Sequence, residues 1–255
     1  MEMRKGEIKK IEMINEEVFS MVLKFENEFV FKPGQFVNIR VSELDTPLLR
    51  RPISISKKIS DKEIELLIKI EGIGTSQLKE KIIGTELDLI GPLGNGFDIE
   101  NLDKERPILV VGGGIGIAPL RGLVQKLVDE KYKNIIVVNG FRENPYGKVD
   151  FKNTKYYEID ETKLNTFVTD YIIENLLESD YQRVYACGPR IMLKKVYETF
   201  TDVPVQLSME EKMACGIGVC LGCAIKIKKD LFDYTYKKVC VDGPVFYGSE
   251  VIFDE

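Results

Sequence analysis

The first hundred residues set apolar side chains in short runs broken by turn formers. "SMVLKF" (20–25), "FVNIRV" (36–41), "RPISIS" (51–56) and "EIELLIKI" (63–70) are β-branched or alternating. "KPGQ", "SELDTP" and "KKISDK" separate them. Strands at this spacing predict a small antiparallel barrel between Gly6 and about Phe97. Past "GPLGNGF" (91–97) and the charged "DIENLDKER" the pattern changes. "PILVVGGG" (107–114) is a buried strand running into glycine, and "APLRGLVQKLVDEK" (118–131) spaces its apolar residues as a helix does. "NIIVVNGF", "KYYEID", a helical "TFVTDYIIENLLES", "RVYACGP" and a helical "RIMLKKVYETF" continue the alternation, which predicts βαβ units on a parallel sheet. The expected organisation is α+β and multidomain: a barrel over 1–100, an α/β domain over 103–204, and a small separate lobe over 205–255.

Composition narrows the chemistry. At 255 residues the chain suits two domains with an appendage. Against 36 basic residues stand 41 acidic ones, with no basic patch, so nucleic acid is not expected as a partner. No run approaches the ~20 apolar residues that cross a bilayer. The charged start "MEMRKGEIKK" lacks the apolar core of a signal peptide, so a cytoplasmic, membrane-free protein is expected. Histidine is absent, which leaves cysteine, carboxylates or a cofactor to carry any reaction.

Three of the five cysteines fall within nine residues of "MACGIGVCLGC" (213–223). The spacing Cys215-x4-Cys220-x2-Cys223, with Cys240 further on, is that of a plant-type [2Fe–2S] site. Gly216, Gly218 and Gly222 are expected to take positive φ, letting backbone N–H groups approach the sulfurs. Structural zinc is the rival reading, although zinc usually takes two C-x2-C pairs and the second pair is missing.

Elsewhere the signals are individually ordinary. Arg51 offers a planar cation for a pyrophosphate or a carboxylate. On an alternating strand Ile53 and Ile55 share one face, and Pro52, Ser54 and Ser56 share the other. Gly72 and Gly74 make a turn after Ile70, and Thr75 or Ser76 is expected to cap a short helix whose start suits a phosphate. In "VVGGGIGIAPL" the G-x-G-x-x-G fingerprint is half met, because Gly112 and Gly114 fit but Ile117 holds the third place.

Together these stretches resemble the ferredoxin reductase superfamily. The R-x-[YFI]-[ST] strand matches Arg51-Pro52-Ile53-Ser54, and the G-x-[TS] helix start matches Gly74-Thr75. The resemblance implies FAD, with Arg51 on its pyrophosphate, Ser54 near the reactive flavin nitrogen, and Ile68, Lys69 and Ile70 on a lining strand. The nicotinamide motif G-G-[GT]-x-G-x-A-P matches Gly113 to Pro119, including Gly114 and Gly116, and C-G-P matches Cys187-Gly188-Pro189. It implies that Cys187 orients the nicotinamide of NAD and ligates no metal. Glu143 could accept from a ribose hydroxyl and Arg142 could grip a 2′-phosphate, so NAD versus NADP stays open.

Barrel, nucleotide domain and cluster lobe in this order resemble the electron-transfer subunits of class B dihydroorotate dehydrogenases nearly end to end. The resemblance implies a relay for pyrimidine biosynthesis. A separate FMN-containing catalytic subunit oxidises dihydroorotate, and electrons pass through Cys215, Cys220, Cys223 and Cys240 with their [2Fe–2S] cluster, then FAD, to NAD⁺. It also implies a heterotetramer with two of each subunit. No stretch remains for an FMN barrel of ~250 residues or a substrate base, so no catalytic residue is expected here. Apolar Ile217, Val219 and Leu221 are candidates for the docking surface. Two alternatives stand beside this reading. One is the small subunit of an NADH-dependent ferredoxin:NADP⁺ reductase, and the other is a zinc-stabilised binding module with vestigial nucleotide motifs.

Overall fold

The structure, a computed structural model, describes residues 2–42, 46–148, 153–177, 180–230 and 233–253. Six strands form the N-terminal barrel: β1 (Met3–Met13), β2 (Val18–Lys24), β3 (Phe36–Ile39), β4 (Arg51–Ser60), β5 (Glu63–Lys69) and β6 (Glu86–Leu93). The seven-residue α1 (Ile73–Lys79) sits between β5 and β6. The barrel closes in the order β1-β2-β5-β4-β3-β6, with Met3 opposite Ile90 at the seam. Closure leaves no bare strand edge, and Ile8, Phe19, Met21, Leu23, Ile39, Ile55, Ile64 and Leu66 fill the interior.

Four of the six strands follow the runs read from the sequence, and β1 and β6 are additions. β1 is dominated by charge, and of its eleven residues only Gly6 and Ile8 are buried. In β6 the apolar Leu87, Leu89 and Leu93 alternate correctly, but Pro and Gly interrupt the stretch.

The central sheet begins with β7 (Ile108–Gly113), every residue of which is buried. A 3₁₀ turn (Gly114–Gly116) leads into α2 (Ile117–Asp129). There follow β8 (Ile135–Phe141), β9 (Thr154–Asp160), α3 (Glu161–Leu164), α4 (Val168–Asn175), β10 (Arg183–Cys187), α5 (Arg190–Thr199) and β11 (Val205–Ser208). The last elements are β12 (Ala224–Lys228), β13 (Tyr234–Lys238) and β14 (Val245–Tyr247). The sheet order is β14-β11-β10-β7-β8-β9, parallel except for β14.

The C-terminal fifty residues are therefore less separate than their sequence suggested. β11 pairs with β10 and β14 pairs with β11, so both belong to the central sheet. Only β12 and β13 form a sheet of their own. Hydrophobic burial joins the segments in the same way, because Cys223, Ile225, Val239 and Cys240 share one apolar cluster with Val184 and Leu207.

α2 docks the sheet onto the barrel. Gln125 accepts from the Lys58 N–H and donates to the Lys58 carbonyl, both at 3.0 Å. Arg121 donates to Ser56 Oγ at 3.0 Å and pairs with Glu65 at 3.3 Å. Gly122 is needed here, since a Cβ would lie 2.8 Å from the Ser56 carbonyl oxygen. Glu65 also accepts from Ser20 Oγ at 2.7 Å. Burial raises the Glu65 pKa, but Arg121, Ser20 and Lys57 outweigh it and hold the carboxyl below its ordinary range.

Candidate functional site

The docking of barrel on sheet leaves a cleft of about 440 Å³. Its barrel wall is Arg51, Pro52, Ile53 and Ser54 on β4, Ile68 and Lys69 on β5, and Gly74 and Thr75 on α1. Gly116 and Cys187 face them from the sheet side. Ten of the fifteen residues assigned to FAD or NAD thus come together from elements up to 136 positions apart (51 to 187). The other five do not line the cleft. Ile70 packs against the barrel core. Gly113, Gly188 and Pro189 pack on one another, and Gly114 follows with a φ of +54°. A Cβ on Gly113 would lie 2.8 Å from Pro189 Cδ, and one on Gly188 would lie 3.0 Å from the Gly113 backbone. Arg142 and Glu143 are exposed beyond the end of β8 and do not line the cleft either.

Two adjacent arginines divide their work. Arg50 pairs with Asp88 at 2.9 Å and ties β3 to β6. Arg51 donates to the Leu49 carbonyl at 2.6 Å, and among the described residues it has no ion pair. Its guanidinium lies over Gly74, where any Cβ would collide with it. The glycine is a cradle for the cation and not only a turn former. The N-cap of α1 is Gly72, and Thr75 caps from inside the helix. It stands at the third helical position and reaches back, accepting from the Glu71 and Gly72 N–H groups at 2.9 and 3.3 Å. Ile53 and Ser54 both reach the cleft, although strict alternation sends them to opposite faces, whereas Ile55 and Ser56 are fully buried.

On the sheet side, α2 starts at the cleft, its first N–H, that of Ile117, taken by carbonyls of the preceding 3₁₀ turn and its third residue, Pro119, having none. Gly116 lets this start press on β10, because a Cβ there would fall on the Cys187 carbonyl. Burial pushes the Cys187 thiol up to about 12, with a hydrogen bond to Ser208 acting against it and Glu210 adding to it. The thiol is therefore neutral at physiological pH and is neither a nucleophile nor a ligand in waiting. Ser208, Met209, Glu210, Glu211 and Met213 complete the cleft floor. The sequence reading missed them. Their only signal was their place, between a strand and the cysteine motif.

That floor runs directly into the cysteine loop. Cys215 and Cys220 place their sulfurs 3.3 Å apart, and the Cys220 N–H points at Cys215 Sγ from 3.4 Å. Cys223 and Cys240 are both buried, and Cys223 lies near enough to raise the Cys240 thiol. Among the described residues no three Cys, Asp or Glu side chains gather as around a single ion. The Cys-x4-Cys-x2-Cys spacing with a distant fourth cysteine suits a [2Fe–2S] cluster, whereas zinc usually takes two C-x2-C pairs. Burial raises the Cys215 pKa, but N–H groups of Cys220, Ile217 and Val219 and the Cys220 thiol bring it down to about 6. Burial and the adjacent Cys223 push Cys240 up to about 12.

Gly216 and Gly218 take φ of +67° and +84°, as a loop wrapped around sulfur requires, whereas Gly222 has no positive φ. Val219 and Leu221 are 81% and 74% exposed, and Ile217 is half-buried. The buried Asn38 of β3 donates to the Cys215 carbonyl at 3.2 Å, so the barrel holds the loop directly.

Comparison with known proteins agrees with this geometry. Residues 3–150 match the family described as FAD-binding domain. Residues 210–252 match the iron–sulfur cluster binding domain of dihydroorotate dehydrogenase B. The dihydroorotate dehydrogenase B (NAD(+)) electron transfer subunit of Geobacillus sp. (strain WCH70) is 42% identical over 232 residues, covering 86% of each chain. This chain belongs to that family. Its counterpart in Bacillus velezensis is 39% identical over 249 residues, covering 93% of this chain and 94% of its own. Among solved structures, that of an NADH-dependent reduced ferredoxin-NADP oxidoreductase superposes with a TM-score of 0.81 at 30% identity, over 97% of this chain and 89% of the other. A ferredoxin reductase of carbazole 1,9a-dioxygenase shares the fold, with a TM-score of 0.68 at 21% identity over 81% of this chain and 68% of the other.

Proposed function

We propose that this chain is the electron-transfer subunit of a class B dihydroorotate dehydrogenase, an NAD-linked oxidoreductase of pyrimidine biosynthesis. It conveys electrons from the FMN of a separate catalytic subunit to NAD⁺. The carrying observation is continuity: Met209 to Met213 floor the cleft, and two residues later the chain enters the cysteine loop. One segment thus joins a flavin-sized cleft to a thiol site.

FAD supplies the ability to take up electrons singly and release them as a pair, which nicotinamide lacks. Arg51, held over Gly74, supplies the cation for its pyrophosphate, and Pro52, Ile53, Ser54, Ile68 and Lys69 shape the flavin wall. Gly114, Gly116 and the start of α2 receive the nicotinamide dinucleotide, with Gly113, Gly188 and Pro189 packed against one another behind. Cys187 contributes a neutral edge for the nicotinamide ring. Cys215, Cys220, Cys223 and Cys240 hold the [2Fe–2S] cluster. In this division residues 1–100 serve FAD, 103–204 the nucleotide and 205–255 the cluster, with β11 and β14 lent to the nucleotide sheet.

The catalytic partner docks on the exposed Val219, Leu221 and Val241 beside the cluster, in an assembly of two subunits of each kind. The reading includes a cytoplasmic setting, and no described helix is long and apolar enough to cross a membrane. A second reading, the small subunit of a ferredoxin:NADP⁺ reductase, draws on the superposition at a TM-score of 0.81. The 42% identity and the match of the cluster lobe favour the first. Co-expression with a class B catalytic subunit distinguishes them. The proposal expects a stable complex that reduces NAD⁺ with dihydroorotate. A chain that ignores that subunit and reduces NADP⁺ from ferredoxin and NADH with another belongs to the second reading.

A further inference from the structure

Lys238 ends β13 two residues before Cys240 and is half-buried. Its Nζ donates to the Gly218 carbonyl at 2.6 Å, and no ion pair to a described carboxylate competes for it. That carbonyl lies inside the cysteine loop, one peptide unit before the Cys220 N–H that points at Cys215 Sγ from 3.4 Å. Gly218 takes a φ of +84° where the loop turns. The Asp242 carboxylate accepts from the Lys238 backbone N–H at 2.7 Å and not from the ammonium. A cation is thus hydrogen-bonded to the backbone of the loop that carries three of the four thiols.

We propose that Lys238 sets the redox poise of the cluster, its ammonium held on the Gly218 carbonyl inside the loop that carries Cys215, Cys220 and Cys223. Positive charge near the sulfurs stabilises the more negative, reduced cluster. The inference rests on the assignment of Cys215, Cys220, Cys223 and Cys240 to a [2Fe–2S] cluster, and it makes Lys238 a positioning and tuning residue for that group. It also gives a reason why a long cation, and not a small neutral residue, ends β13 against the loop.

The test is an EPR-monitored redox titration of the cofactor-loaded chain and its K238Q, K238M and K238R variants, with iron and acid-labile sulfide counted in each. Gln keeps a donor for the Gly218 carbonyl but no charge, Met keeps neither, and Arg keeps both. The expected result is full cluster content in K238Q with its one-electron equilibrium shifted about tenfold toward the oxidised form, about 59 mV. K238M should shift at least as far, and K238R should titrate with the wild type. An unchanged midpoint in K238Q and K238M overturns the proposal. So does a K238R midpoint displaced along with K238Q. Loss of the cluster from both neutral variants but not from K238R also overturns it, because Lys238 would then be a clamp for the loop. A wild-type chain without iron and sulfide would instead defeat the cluster assignment itself.

Discussion

Nine residues, Cys215 to Cys223, supply three of the four thiols of the cysteine loop, whereas the cleft beside it draws its walls from β4, β5, α1, α2, β10 and the segment after β11. The loop is fixed by local geometry: two positive-φ glycines and N–H groups within five residues of the sulfur they face. The cleft exists only because two folded bodies press together through Arg121, Gly122 and Gln125. A locally built site should fail all at once, while a site shared by many elements should weaken by degrees.

Cys220→Ser gives the sharpest contrast. It should abolish the cluster and its visible absorbance while FAD stays bound, measured by iron, sulfide and flavin content. An unchanged spectrum would break the ligand assignment.

Next in size is the seam that makes the cleft. Glu65→Gln should lower stability at pH 7 on the order of 2 kcal/mol, less than for a fully buried pair because Lys57 is partly exposed. The Glu65 carboxyl is held below its ordinary 4.5, so its contribution is present above that pH and is lost as pH falls through the lower folded value. Denaturation curves of wild type and variant should therefore converge on acidification, and a constant gap would contradict the ion-pair account.

Within the cleft, Arg51→Ala should weaken FAD retention about tenfold, roughly 1.4 kcal/mol, with the cluster intact. Dialysis followed by flavin fluorescence reads this directly, and full flavin occupancy would remove Arg51 from the pyrophosphate site. Cys187→Ser should slow NAD⁺ reduction only about threefold to tenfold, without loss of either cofactor. Because the thiol pKa is raised to about 12, wild type and variant should share one pH–rate profile between pH 6 and 9. Smallest of all, Lys5→Ala breaks the exposed pair with Glu86 and should move stability by less than about 0.5 kcal/mol.

The same contrast decides what could be read from the sequence. The cysteine spacing, four of the barrel strands and the βαβ texture were legible because each depends on neighbours along the chain. The strand β1 was not, since closure of the barrel rather than its own apolar content holds it in place. Nor was the membership of β11 and β14 in the central sheet, because a four-residue and a three-residue strand carry too little pattern to name their partners. Gly74 looked like a turn residue, and only the folded chain shows it making room for Arg51. Thr75 looked like a cap from its type, yet its hydroxyl closes the turn from the third position of α1. Asn38, Ser208 and Lys238 carried no motif at all, and their importance lies in contacts across 177, 21 and 20 positions of chain.

The central claim is that cleft and cysteine loop are two stations of one electron path. It is tested most directly by titrating the purified, oxygen-free chain with NADH while recording its visible and EPR spectra. The account predicts that the flavin bands bleach and that a reduced [2Fe–2S] signal then appears, with the second event absent in Cys220→Ser. Bleaching of the flavin in the wild type with no cluster signal, at a full count of iron and sulfide, would contradict it.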